Sequence, residues 1–162
     1  MTTQKKKKSW REKLDHDEGL PKVVPIPEKM QKAQGKGTML IARPRDVDAL
    51  VRRVRKGRIA TVNQLRERLA KDRGADTTCP LTTGIFLRIV AEVAEEELQA
   101  GKKRVAPYWR VLRGKGALNP KYPGGVEAQA SRLREEGHEI GEGRGKSAPR
   151  VVDYERRLTR EL

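Results

Sequence analysis

Thr61-Val62-Asn63-Gln64-Leu65 decides how this chain is read. A threonine followed three positions later by a glutamine, just ahead of an apolar run, is a capping box: the hydroxyl accepts from the helix backbone and the amide reaches back to the threonine. Leu65, Leu69 and Ala70 then repeat on one helical face, and Gly74 predicts the stop. Upstream, Asp46 to Lys56 predicts a helix with Val47, Leu50, Val51 and Val54 inward, ended at Gly57. Downstream, a turn rich in Asp76, Thr77, Thr78 and Pro80 leads to a longer helix starting near Thr82 or Thr83. That helix turns Ile85, Phe86, Ile89, Val90, Val93 and Ala94 inward and carries Glu92, Glu95, Glu96 and Glu97 towards its outer C-terminal part.

After Gly101 the period changes. Tyr108 to Leu112 predicts a strand, Arg113-Gly114-Lys115-Gly116 a hairpin turn, and Ala117-Leu118 the return strand. Tyr122-Pro123-Gly124-Gly125 is a loop, and Val126 to Glu136 a helix with Val126, Ala130 and Leu133 inward, stopped by Gly137. Helix, capped helix, turn, helix and hairpin is the order of a winged helix-turn-helix. The expected class is α+β, mainly α, with a small β-hairpin wing and flexible basic tails.

Composition sets the frame around that body. Across 162 residues, 37 Lys and Arg stand against 22 Asp and Glu, a net charge of +15. Such an excess favours a polyanionic partner. Residues 1–37 hold the Lys5-Lys6-Lys7-Lys8 run, several prolines and few large apolar residues, and predict a flexible basic arm of net charge +5. Residues 38–140 form the folded body at +8, and residues 141–162 a tail at +2 with a short helix over Val152 to Leu158. The basic excess therefore belongs to the body as well as the tails. No apolar run reaches the length of a membrane span, and the N-terminus has no signal-peptide segment. One cysteine rules out an internal disulfide and argues against a structural zinc site. A monomer in the cytoplasm (on the nucleoid if the source is bacterial), with no cofactor, no metal and no membrane partner, is expected.

Four motifs in order resemble the C-terminal domain of the alkylguanine-DNA alkyltransferases and of their non-catalytic branch, the alkyltransferase-like proteins. Arg55-Lys56-Gly57-Arg58-Ile59-Ala60-Thr61-Val62-Asn63-Gln64-Leu65 resembles the family's Pro-x-Gly-Lys-Val-Ala-Thr-Tyr-Gly-Gln-Ile/Leu stretch. Pro107-Tyr108-Trp109-Arg110-Val111 resembles the reactive Pro-Cys-His-Arg-Val motif, with Tyr108 where the acceptor Cys stands and Trp109 where the activating His stands. Tyr122-Pro123-Gly124-Gly125 resembles the Tyr-Ser-Gly-Gly loop that lines the alkyl pocket, and Leu133-Arg134-Glu135-Glu136-Gly137 the closing Leu-x-x-Glu-Gly segment. The likeness covers about residues 46–140. It departs at Val62, where the family uses a Tyr to rotate the target nucleotide, and at Thr82 or Thr83, where the family's intercalating Arg belongs.

The resemblance implies a winged helix-turn-helix that binds DNA without chemistry, because a phenol beside an indole cannot replace an imidazole-activated thiolate. It also implies sensing of alkylated bases and hand-over to a repair-protein partner. An alternative is an RNA- or nucleoprotein-binding accessory protein on the same fold. A third reading makes Cys79 the acceptor, although no His is near it in sequence. The expected DNA contacts are Arg52, Arg53, Arg55, Lys56, Arg58, Thr61, Asn63, Thr78, Thr82 and Thr83, with the last two opening a groove-reading helix. The pocket-like set is Pro107, Tyr108, Trp109, Arg110, Tyr122, Gly124 and Gly125. Of Tyr108 and Trp109, one could stack on a base while the other packs inward, or both could fill the space of a lost active site. Arg110 either contacts phosphate or braces the wing. Lys5 to Lys8 with Trp10 and Arg11 could run along a phosphate backbone. His16, in an acidic patch, and His138, at the end of the body, show no ligand spacing.

Overall fold

The computed structural model describes residues 6–162. Chain order begins with α1 (Trp10–Asp15), capped by Ser9 and Glu12 in a capping box. Strand β1 (Lys22–Pro25) follows, then a 3-10 turn at Glu28–Met30 running into the short α2 (Gln31–Gln34). Strand β2 (Thr38–Ile41) lies antiparallel to β1, with Lys22 opposite Ile41 and Pro25 opposite Thr38. Helix α3 (Pro44–Val51) is opened by the Asp46 carboxylate, which accepts from the Arg43 backbone at 2.9 Å. The chain then passes through β3 (Ala60–Thr61) into α4 (Val62–Arg73), β4 (Thr77–Thr78) and the 20-residue α5 (Pro80–Gln99). Strand β5 (Val111–Leu112), α6 (Gly125–Glu135), β6 (Ile140–Gly141), β7 (Arg150–Val151) and α7 (Tyr154–Arg157) complete it. The protein is α+β and mainly helical, with three small sheets among the described residues.

Helix α5 is the hub. Leu87, Val90, Ala91, Val93 and Ala94 are buried along it, and α1, α3 and α4 all pack on it. The Thr61 capping box forms as expected: the Thr61 hydroxyl accepts from Gln64 N at 3.3 Å and Gln64 Oε1 from Thr61 N at 3.0 Å. Gly74 closes α4 at φ +66°, a left-handed conformation that costs glycine little. Strand β4 pairs in parallel with β2 and ties the helix-turn-helix to the N-terminal sheet.

Several expectations are corrected. Residues 10–37 are not a free arm: Leu14 and Ile26 are buried, and β1 completes a sheet with β2. Composition hid this because a few well-placed apolar residues anchor a segment that is otherwise polar. Lys5 of the lysine run lies outside the described residues. The tail is tied down as well. Strand β6 pairs with β7, Val151 is buried, and Ile59 exchanges backbone hydrogen bonds with Arg157 and Thr159 at 3.0 and 2.8 Å. The first helix of the body stops at Val51, leaving Lys56 outside it, while α5 begins at Pro80 rather than Thr82, its proline at the first helical turn. The wing is built differently from the expected hairpin. Tyr108–Arg110 is a 3-10 turn, and β5 pairs in parallel with β3. Arg113 N donates to Ala117 O at 2.9 Å, which closes the turn, but Ala117 bridges to Arg150 of β7 and not back to β5.

Candidate nucleic-acid interface

The 3-10 turn decides the fate of the pocket-like residues. Successive positions in a strand alternate faces, whereas a 3-10 turn advances by a third of a circle per residue. Tyr108 and Trp109 are therefore both buried, 1% and 9% exposed. Tyr108 stands edge-on to Trp109 and to Tyr122, with ring centroids 5.4 and 5.0 Å apart. Its hydroxyl donates to Glu95 Oε1 at 2.6 Å, and Arg132 donates to the same oxygen at 2.7 Å. Tyr122 donates to Val111 O at 3.0 Å. Gln129 bridges the loop from below, donating to Trp109 O at 3.1 Å and accepting from Asn119 N at 2.7 Å. Gly124 caps α6 at φ +77°, and a Cβ there would fall 2.5 Å from that of Ala128.

Glu136 holds the other side. It accepts from Trp109 Nε1 at 2.8 Å and takes the Arg110 guanidinium through two bonds of 2.8 Å. Arg110 spends a further N–H on Val54 O at 2.7 Å. Burial works against the charge on Glu136, but the hydrogen bonds from Arg110 and Trp109 outweigh it and hold the carboxyl below its usual range. Burial, then the bond to Glu95, pushes the Tyr108 phenol well above 10. Pro107, Tyr108, Trp109, Arg110 and Tyr122 do come together, but as a filled and hydrogen-bonded core. Arg110 is a brace, with its guanidinium committed inward.

The expected DNA contacts divide. Thr78 and Thr83 are 0% and 1% exposed; Thr78 donates to Arg66 O at 2.7 Å and Thr83 to Cys79 O at 2.6 Å, so neither reaches a groove. Thr61 is occupied with its cap, Arg52 pairs with Asp48 at 3.0 Å, and Arg58 donates to Arg156 O. Asn63 is exposed and accepts from Arg66, while Thr82 is partly buried against Cys79 O. Arg53, Arg55 and Lys56 are exposed, and no ion pair among the described residues engages them. Arg53 lines a cleft beside Arg73, at the C-terminal end of α4.

At the other end of α4, beside Val62, lies a groove of about 710 Å³ that the sequence did not announce. Its floor is the start of α5, where Leu81 and Ile85 are 70% and 51% exposed. One wall is α1, through Trp10 and Lys13; the other is the loop after β5, through Arg113 and Lys121. Arg88, one turn beyond Ile85, completes four cations, and no carboxylate lines the groove. Leu81, Ile85 and Arg88 share a helix face by their spacing. The signal was present in α5, whose apolar residues run too far round the helix for one buried stripe. Ile85 was expected inside and is not. Arg11 also differs from expectation: it pairs with Glu97 at 2.8 Å, so of the Trp10-Arg11 pair Trp10 faces the groove and Arg11 grips α5.

Cys79 is buried at the cap of α5. His138 is 5% exposed with neither ring nitrogen hydrogen-bonded, and burial, then Arg157, lowers its pKa. Among the described residues no group of three or more His, Cys, Asp or Glu is placed to hold a metal, and no helix is long and apolar enough to cross a membrane.

No family model matches the sequence, and no curated protein matches it. One solved structure is similar in fold: S. pombe Atl1, crystallised in complex with damaged DNA containing O6-carboxymethylguanine. The two chains are 17% identical, with 72% of this chain and 94% of that one covered at a TM-score of 0.49. A likeness of that size concerns overall shape and gives this chain none of that protein's ligands.

Proposed function

We propose that this is a non-catalytic DNA-binding protein that sets the open end of α5 and the cations around it against duplex DNA. The groove carries the reading. Exposed Leu81 and Ile85 begin the second helix of a helix-turn-helix, and Lys13, Arg88, Arg113 and Lys121 frame them, Arg88 with Glu92 4.0 Å from its Nε. Cations positioned around an apolar helix face complement phosphates flanking base edges. The net charge of +15 adds long-range attraction. The reading is non-catalytic because Tyr108 is buried, donates a hydrogen bond to Glu95 and resists ionisation, and Cys79 is buried at the cap of α5. Sensing of alkylated bases is the finer form of this reading, supported by the motif order of the sequence alone.

Fluorescence anisotropy with matched duplexes, one carrying a single O6-methylguanine, at two salt concentrations, tests it. Tight binding at low salt that weakens as salt rises is expected. Preference for the modified duplex would add damage sensing, and equal binding would leave a general DNA binder. Failure to bind either duplex at low salt would overturn the reading, and displacement of the duplex by an equal concentration of structured RNA would favour the RNA-binding alternative.

A further inference from the structure

We propose that the groove between α1 and α5 receives an unpaired nucleotide, its base on the ring of Trp10 and its phosphates among Lys13, Arg88 and Arg113. This rests on the nucleic-acid reading above and names what that site prefers. The chain has two tryptophans. Trp109 is sealed in the core and bound to Glu136, whereas Trp10 is half-buried and forms the groove wall. Lys13 Nζ lies 4.4 Å and Arg88 Cζ 5.6 Å from the centre of the Trp10 ring. Arg88 approaches Glu92 Oε1 at 4.0 Å through its Nε, which leaves its terminal N–H groups for phosphate. Trp10 therefore holds two cations over its own ring, and an incoming base takes the ring face as its phosphate draws one of them aside.

The wall is fixed rather than loose. Leu14 is buried under it, Arg11 ties it to Glu97 on α5, and Asp15 ties it to Arg45 on α3. Opposite, Leu81 and Ile85 present exposed apolar side chains to the same groove. The volume lies within the roughly 300–1,000 Å³ of pockets that bury a small molecule. In an intact duplex the base faces are stacked and out of reach, so a flat aromatic wall there gains contact only with a base that has left the stack.

The test uses the full chain and two fluorescein-labelled probes, a blunt duplex and the same duplex with a five-thymidine single-stranded overhang. The wild type is expected to prefer the overhang about tenfold, in keeping with the stacking of one or two bases. Trp10→Ala should bring that ratio close to one, and Trp10→Phe, which keeps a ring, should retain most of it. Leu81→Ala, at a position too exposed to disturb the core, should lower the ratio as well and guards against a folding defect in the Trp10 variants. A wild-type ratio near one with the blunt duplex still bound overturns the inference and leaves the DNA-binding reading standing. A Trp10→Ala protein that keeps the tenfold ratio also overturns it. Binding of the overhang without binding of the blunt duplex overturns the duplex reading and upholds the nucleotide site.

Discussion

Glu136 accepts from Trp109 and, through three bonds, from Arg110, and the Glu136 and Arg110 side chains are 8% and 13% exposed. Removing one partner of so buried a pair leaves an uncompensated charge, at a cost of about 3–5 kcal/mol. Glu136→Ala is therefore expected to be among the most destabilising substitutions in the chain, read as a fall in the urea midpoint with an unchanged slope. His138 sets a second expectation, in pH. Its folded pKa lies below 6.5, so below that value the unfolded chain binds the proton that the folded chain refuses. Stability should fall as pH drops from about 7 towards 5, and His138→Asn should flatten that limb. Glu136, also depressed, contributes above its ordinary 4.5 and is lost only at more acid pH. Unchanged stability between pH 7 and 5.5 would contradict the placement of His138.

Elements explain what the sequence made legible and what it hid. Helix α4 was readable to the residue because its cap, its apolar face and its stop are all local. The 3-10 turn at Tyr108–Arg110 was not, since two aromatics and two apolar residues on either side of Arg110 have the composition of a strand. The turn is fixed by partners distant in sequence, among them the parallel ladder that draws Val111 to Ala60 across some fifty positions. The groove was hidden for the same reason: α1, the start of α5 and the loop holding Lys121 meet only in the fold. Helix α1 itself was missed although Ser9 and Glu12 spell a capping box, because lysines and prolines on either side suggested disorder. Its anchor can be measured. Leu14→Ala removes a fully buried leucine and should cost about 2–5 kcal/mol, whereas a residue in a free arm would cost nothing.

For the whole molecule, charge decides the strength of binding and its response to salt. Each phosphate contact contributes a slope of about −0.9 to the dependence of log affinity on log salt. Replacing Lys13, Arg113 and Lys121 together by alanine should weaken binding to every duplex and flatten the slope by about 2–3. A triple charge reversal at Arg52, Arg53 and Arg55 should do less, because Arg52 is paired and Arg53 lies at the far end of α4 from the groove. Equal losses from the two triple variants would shift the interface towards the segment that follows α3. Helix α1 is held by ion pairs at the surface. The Arg11–Glu97 and Arg45–Asp15 pairs that fasten it are partly exposed, and exposed pairs are screened by the same ions that compete for phosphate. Ionic strength thus acts on the empty receptor as well as on the complex, so a phosphate count taken from the salt slope should exceed the number of cations that touch the backbone.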